Sequence, residues 1–295
     1  MHMTARSLPR TAHLLLACTV VVWGGAFVAI KRLIDDGVGV QEIALARYLV
    51  AAPGFAIALV LAGGMRGISR GEAVRVAAAG LLVVTIYHLA LNQGEETTTA
   101  GTAAVIIACA PAITLAMAVS SGLERFSSRR AGGLMLAFLG VLVVILLGAG
   151  QHLSASAVRG PLLVLAAAAS FAAYNVIVKP LLPGYGAVAV TCAASLAGTA
   201  GLLVVAAASG DATTSHLTGS GWVLVGYLGI VCTLAAYLAW TLALRSLDAS
   251  SAVSFLYGVP VCAVAIGALT LGESVSAWVV GGGVMIVGGV AVAAA

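Results

Sequence analysis

Ten stretches of this sequence run for close to twenty residues with almost no charge, the length a helix needs to cross a hydrocarbon core about 30 Å thick. They cover residues 12–30, 43–61, 74–93, 100–119, 132–150, 160–178, 186–208, 221–244, 252–271 and 276–295. None alternates apolar and polar residues as a barrel strand would. In lipid the helix is the remaining way to satisfy every backbone amide and carbonyl. The expected fold class is therefore all-α and polytopic. A soluble domain has about a quarter of its residues charged, whereas this chain has 8% charged and 62% hydrophobic. The first stretch resembles the apolar core of a signal peptide, but no A-x-A-like site follows it and it is as long as its successors, so it reads as a retained span.

With ten spans the two termini lie on one side, and the charged residues sort by loop parity. The side of the termini carries Arg6, Arg10, Arg66, Arg70, Arg75, Arg125, Arg129, Arg130, Lys179 and Arg245, and the other side only Lys31, Arg32 and Arg159. Ten basic residues against three place the termini in the cytoplasm. The net charge of +4 is thus a topology signal and gives no reason to expect nucleic acid. Arg47 alone among the basic residues lies more than one residue inside a span. The five cysteines lie one to a span with no C-x-x-C spacing, so neither a metal site nor a disulfide framework is expected, and no cofactor is called for.

The chain is written twice. Shifted by 148 or 149 positions, Trp23 through Lys31 falls on Phe171 through Lys179, Thr85 on Thr233, Pro111 on Pro260, and Glu124 on Glu273. Gly132, Gly133 and Gly140 fall on Gly281, Gly282 and Gly289. Each half has an odd number of spans, so the second copy enters the membrane inverted. Two inverted halves around a midplane site are the architecture of secondary transporters.

Four segments carry a family resemblance: "WGGAFVAIK" in the first span, "TTAGTAAVIIACAPAITLAMA" in the fourth, "YLGIVCTLAAYLAWTLALRSLDASSA" in the eighth and "PVCAVAIGALTLGESVS" in the ninth. Together they resemble the paired EamA-type repeats of the drug/metabolite transporter superfamily, and the whole set is most similar to bacterial amino-acid exporters. The resemblance implies ten helices, a cytoplasmic tail over residues 1–10, one repeat over 11–150 and a second over 151–295. It also implies a central cavity, location in the inner membrane, and export of a small metabolite, an amino acid being the leading expectation. Gly25 and Ala26 stand where relatives often have a polar residue, which makes that wall less polar.

Several residues could line such a cavity. Trp23 lies about 12 Å inward of Lys31 along the first span, too deep for an interfacial belt; a cavity wall and a helix contact are both open to it. Lys31 reads as an interfacial anchor. In the third span Thr85, His88, Asn92, Glu95 and Glu96 form one polar stripe at spacings of three and four, with Tyr87 alongside. Such a stripe faces the bundle or water, and its Glu95–Glu96 end reads as solvated loop. Tyr174, Asn175, Tyr237, Trp240 and Tyr257 complete the expected substrate-binding set. Pro111 and Pro260 are expected hinges or fixed bends. Arg47 is expected to pair with Glu42 or Asp36, or to attract anionic solutes. The glycine-rich fifth and tenth spans are expected to buttress the bundle or form a homodimer contact, with lipid around them. Other solutes, such as drugs, nucleotide-related or sugar metabolites, stay open. So do a lipid-modifying enzyme, for which no catalytic motif is present, and an assembly subunit.

Overall fold

The structure is a computed structural model that describes residues 8–122, 127–147, 155–209, 217–243, 255–256 and 258–294. The described segments are α1 (Leu8–Asp35), α2 (Val40–Leu61), α3 (Arg70–Glu95), α4 (Ala100–Ser120), α5 (Ser128–Leu147), α6 (Ala155–Val178), α7 (Ala187–Ser209), α8 (Gly219–Gly226 continuing through Ala236–Ala243), α9 (Gly258–Leu271) and α10 (Ala277–Ala294). Among the described residues seven helices are long and apolar enough to cross a membrane, and three more, 131–147, 258–271 and 277–292, are apolar but shorter. Described strands are absent.

Helix ends follow the local chemistry. Ser69 accepts from the Glu72 amide while the Glu72 carboxylate takes the Ser69 amide, a capping box that starts α3. Thr218, at the matching place of the second repeat, accepts from Gly221 and starts α8. After α1 the chain turns at Gly37, whose φ of +84° suits glycine alone. Its neighbour Val38 returns an amide to the Leu33 carbonyl and closes the helix.

Two helices depart from α geometry, and they are the matched pair. α3 winds as a π-helix over Leu81–Ile86, and α8 does so over Tyr227–Ala235. Thr85 and Thr233, aligned by the repeat, lie within these stretches. A π-turn misaligns carbonyls with the normal ladder, and here the loosened carbonyls accept from the opposite repeat. Ser170 of α6 donates to Leu82 at 2.8 Å, and Trp23 of α1 donates through Nε1 to Cys232 at 2.9 Å.

The halves interlock instead of folding side by side. Gly80 of α3 is seated on the backbone of α7 at Ala194 and Gly198, and its counterpart Gly229 of α8 on the Arg47 carbonyl and the Val50 side chain of α2. The glycines of α5 and α10 meet reciprocally: Gly140 against Gly282, and Gly133 against Gly289. Under the repeat offset each of these contacts is the image of the other, the signature of a two-fold axis. The glycine seam of α5 and α10 is therefore occupied within one chain. Side chains pointing away from it, such as Leu139, Leu142, Val280 and Val284, are exposed.

α4 breaks at Ala108–Cys109, and Pro111 stands in the first turn of its second half, Ala110–Ser120. Proline cannot donate to the preceding turn, so the break sits where sequence places a bend. Pro260 is the third residue of α9, whose described part starts at Gly258.

Candidate functional site

Rings from five helices gather in two groups. In the first, Trp23 of α1 packs edge-on against Tyr237 at 5.9 Å and tilted against Trp240 at 5.5 Å, both on α8. In the second, a chain runs from Tyr48 of α2 through His88 and Tyr87 of α3 to Phe171 and Tyr174 of α6, with centroids 4.8–6.1 Å apart. Trp23, Tyr87, Tyr237 and Trp240 are only half-buried, whereas Tyr48, His88 and Tyr174 are enclosed.

The expected binding residues thus divide by what they touch. Trp23, Tyr87, His88, Tyr237 and Trp240 come together in the ring system. Tyr174 turns toward α7, its hydroxyl 3.4 Å from Thr191, and serves the packing of α6 on that helix. The Asn175 amide donates to Phe171 of its own helix at 3.0 Å. Asn92 donates to the Val40 carbonyl at 3.0 Å, tying α3 to the start of α2. His88 Nδ1 lies 3.1 Å from the Val84 carbonyl and Nε2 3.5 Å from the Tyr48 hydroxyl. Thr85 donates to Gly198 of α7 at 2.9 Å. Tyr257 and Glu124 lie outside the described residues.

Arg47 corrects its expected pairing. It is 6% exposed, and its Nε donates to Thr233 Oγ1 at 2.6 Å, with neither Glu42 nor Asp36 bonded to it. Thr233 donates its own hydroxyl to the Leu228 carbonyl at 2.7 Å, within the π-stretch of α8. The guanidinium carbon stands 6.0 Å from the Tyr48 ring centroid. Among the described residues no carboxylate pairs with Arg47, and its hydrogen bond to Thr233 is made through Nε, not through the terminal amino groups. An enclosed cation without a counter-ion is costly. It is also ready-made to receive a planar carboxylate through two parallel hydrogen bonds.

Glu95 is the second correction. Read as solvated loop, it has 0% exposure, and neither carboxyl oxygen has a hydrogen-bond partner. Helix geometry explains the burial: Glu95 continues the stripe of Thr85, His88 and Asn92, which faces inward throughout, and Glu96 one residue later is exposed. Lys31, the expected interfacial anchor, reaches into this end. Its Nζ donates to the Glu95 carbonyl at 3.0 Å and pairs with Asp35 at 3.3 Å. Glu273 crosses from the α9–α10 connection to take the amides of Ala100 and Gly101 at 2.8 and 3.2 Å, capping α4.

An inverted pair of apolar helical repeats around enclosed polar side chains is the architecture of a multi-pass membrane transporter. Comparison with known proteins makes this specific: the profile of the EamA-like transporter family matches residues 10–146 and again 158–295, and the chain belongs to that family. It is 33% identical to a protein of Streptantibioticus cattleyicolor named a probable terminal-alkyne amino-acid exporter, over 93% of this chain and 90% of that protein. An uncharacterized transporter of Archaeoglobus fulgidus is 31% identical over 93% of this chain and 96% of its own length. The inner membrane transporter YedA of Escherichia coli is 26% identical over 87% of this chain and 81% of its own. A solved crystal structure shares the fold with a TM-score of 0.67 at 18% identity, covering 97% of this chain and 96% of that one.

Proposed function

We propose that the protein is an inner-membrane secondary exporter of small zwitterionic metabolites, amino acids foremost. It crosses the bilayer ten times with both termini in the cytoplasm, and works by alternating access between its two repeats. The observation that carries the substrate class is Arg47, the one enclosed Lys or Arg among the described residues, held through Nε beside a half-buried wall of aromatic rings. A carboxylate on Arg47 would satisfy the charge, and the side chain of the solute would lie against Trp23, Tyr237 and Trp240. Apolar walls with a few placed polar groups suit small amphipathic ligands. The named exporter from Streptantibioticus supports the same class. Lipid, or a second copy, covers the exposed outer faces of α5 and α10.

Purified protein in proteoliposomes should exchange labelled amino acids with trans-stimulation, which a channel or an assembly subunit does not show. Arg47→Gln should abolish exchange of carboxylate-bearing solutes, and Arg47→Lys should restore part of it. Equal exchange by Arg47→Gln and wild type, or preference for the amino alcohol over the amino acid, would remove the carboxylate reading.

A further inference from the structure

We propose that Glu95 is a proton-binding site that latches its end of the bundle: it holds a proton while that end is closed and gives it up when the end opens. The proposal rests on the carrier reading only in supposing that this end opens.

The geometry leaves an ionised Glu95 without support. Both oxygens are enclosed and unpartnered, and so are Asn92 Oδ1, three residues back on the same face, and Thr98 Oγ1 just beyond the helix. Against the three acceptor oxygens of Glu95 and Asn92, the only donor in this set is the Thr98 hydroxyl. An enclosed carboxylate with no donor is among the most costly groups a protein can hold, whereas a neutral carboxyl brings its own O–H donor into that corner. Closed and protonated therefore go together.

The neighbouring charges supply the switch. Lys31 and Asp35 face Glu95 from α1, Arg47 from α2 and Glu273 from the turn before α10, while Glu42 of α2 and Arg159 of α6 lie at the same end. Lys31 is already held on the Glu95 backbone carbonyl and on Asp35. Loss of the proton leaves a carboxylate that competes with Asp35 for Lys31 and repels Glu273. Because Glu273 caps α4, that repulsion acts on the contact between α9, α10 and α4. The step is a simple equilibrium, carboxylate plus proton to carboxyl, and charge distribution along the chain assigns this end to the outside. An acidic exterior would then favour closure, and a proton would be taken up each time the end shuts.

The test uses full-length protein in vesicles, with its five native cysteines replaced and Ala100→Cys, fully enclosed at the capped end of α4, as reporter. Its labelling by a membrane-impermeant maleimide is divided by that of Ser220→Cys, exposed at the same end, which removes the reagent's own pH dependence. The ratio should rise about tenfold from mildly acidic to alkaline pH. Glu95→Gln, a mimic of the neutral acid, should stay low at both, Glu273→Gln, which removes the repelled charge, should blunt the rise, and His88→Ala should keep it. A flat ratio with Glu95 present, or an unaltered rise in Glu95→Gln, overturns the proposal. Should Glu95→Gln fail to fold, infrared spectra of the wild type decide: the carbonyl band of a protonated, enclosed carboxyl must be present at neutral pH, and its absence overturns the proposal. Neither measurement needs a transported solute. Exchange without the switch defeats the latch alone, and the switch without exchange defeats the carrier reading alone.

Discussion

α3 and α8 descend from one repeat unit and still share its most unusual feature, a π-helical stretch around an aligned threonine. Beyond the bulge they differ completely. Downstream of Thr85, α3 carries His88, Asn92 and Glu95, whereas downstream of Thr233, α8 carries Tyr237 and Trp240. The repeat is inverted, so the polar continuation runs toward one end of the bundle and the aromatic continuation toward the other. The bulge is scaffold, kept in both copies because it frees carbonyls for the opposite repeat. The side chains beyond it are where the copies specialised, one toward charge and one toward aromatic surface.

The largest expected effect tests whether the bulges are equivalent as scaffold. A side chain at Gly80 would fall on the Ala194 carbonyl of α7, and one at Gly229 would lie 2.7 Å from the Arg47 carbonyl of α2. Both obstacles are backbone and cannot swing away. Gly80→Leu and Gly229→Leu should each abolish the monodisperse folded species in detergent gel filtration. A folded Gly80→Leu protein would mean that the α3–α7 seam is slack and that the two repeats are not equivalent.

A smaller effect should separate the threonines. Thr85 makes one bond, to Gly198, while Thr233 both accepts from Arg47 and donates to Leu228. Thr85→Val should cost about 0.6 kcal/mol, the mean for a side-chain hydrogen bond in a membrane bundle. Thr233→Val strands an enclosed cation and should cost about 1.5–3 kcal/mol, as for hydrogen bonds to charged groups. Thermal unfolding in detergent reads the first difference, and amino-acid exchange should fall markedly only in Thr233→Val. Equal losses of stability would mean that Arg47 finds another partner once Thr233 is gone.

The membrane fold could be read from the sequence because hydropathy, parity of charge and internal offset each constrain the same architecture. The aromatic set was half legible: Trp23, Tyr87, Tyr237 and Trp240 do gather, but spacing alone cannot show that Tyr174 turns to Thr191 or that Asn175 bonds its own helix. The partner of Arg47 and the burial of Glu95 were missed for one reason. Both residues stand near the end of an apolar run, and distance along a chain says nothing of how far neighbouring helices extend past it. α1 continues to Asp35, and the α9–α10 turn folds back over Ala100, so residues near the end of a run are roofed over by other segments. The clues present were that Arg47 is the lone basic residue more than one residue inside a span, and that Glu95 keeps the three-to-four spacing of an inward stripe.

The smallest effect bears on the donors that bridge the repeats. Trp23 and Ser170 occupy nearly matching places on α1 and α6, and each donates to a carbonyl loosened by the other repeat's bulge. If the bond is all that counts, Trp23→Phe and Ser170→Ala should destabilise alike, by about 0.6 kcal/mol. The Trp23 ring, however, also stands between Tyr237 and Trp240, and a smaller ring leaves part of that wall unfilled. Trp23→Phe should therefore raise KM for exchange severalfold with little change in maximal rate, a mark of lost binding shared by bound and transition states. Ser170→Ala, which removes no ring from the wall, should leave KM alone. A KM shift in both variants would locate the function in the bulges themselves and overturn the division between shared scaffold and specialised surface.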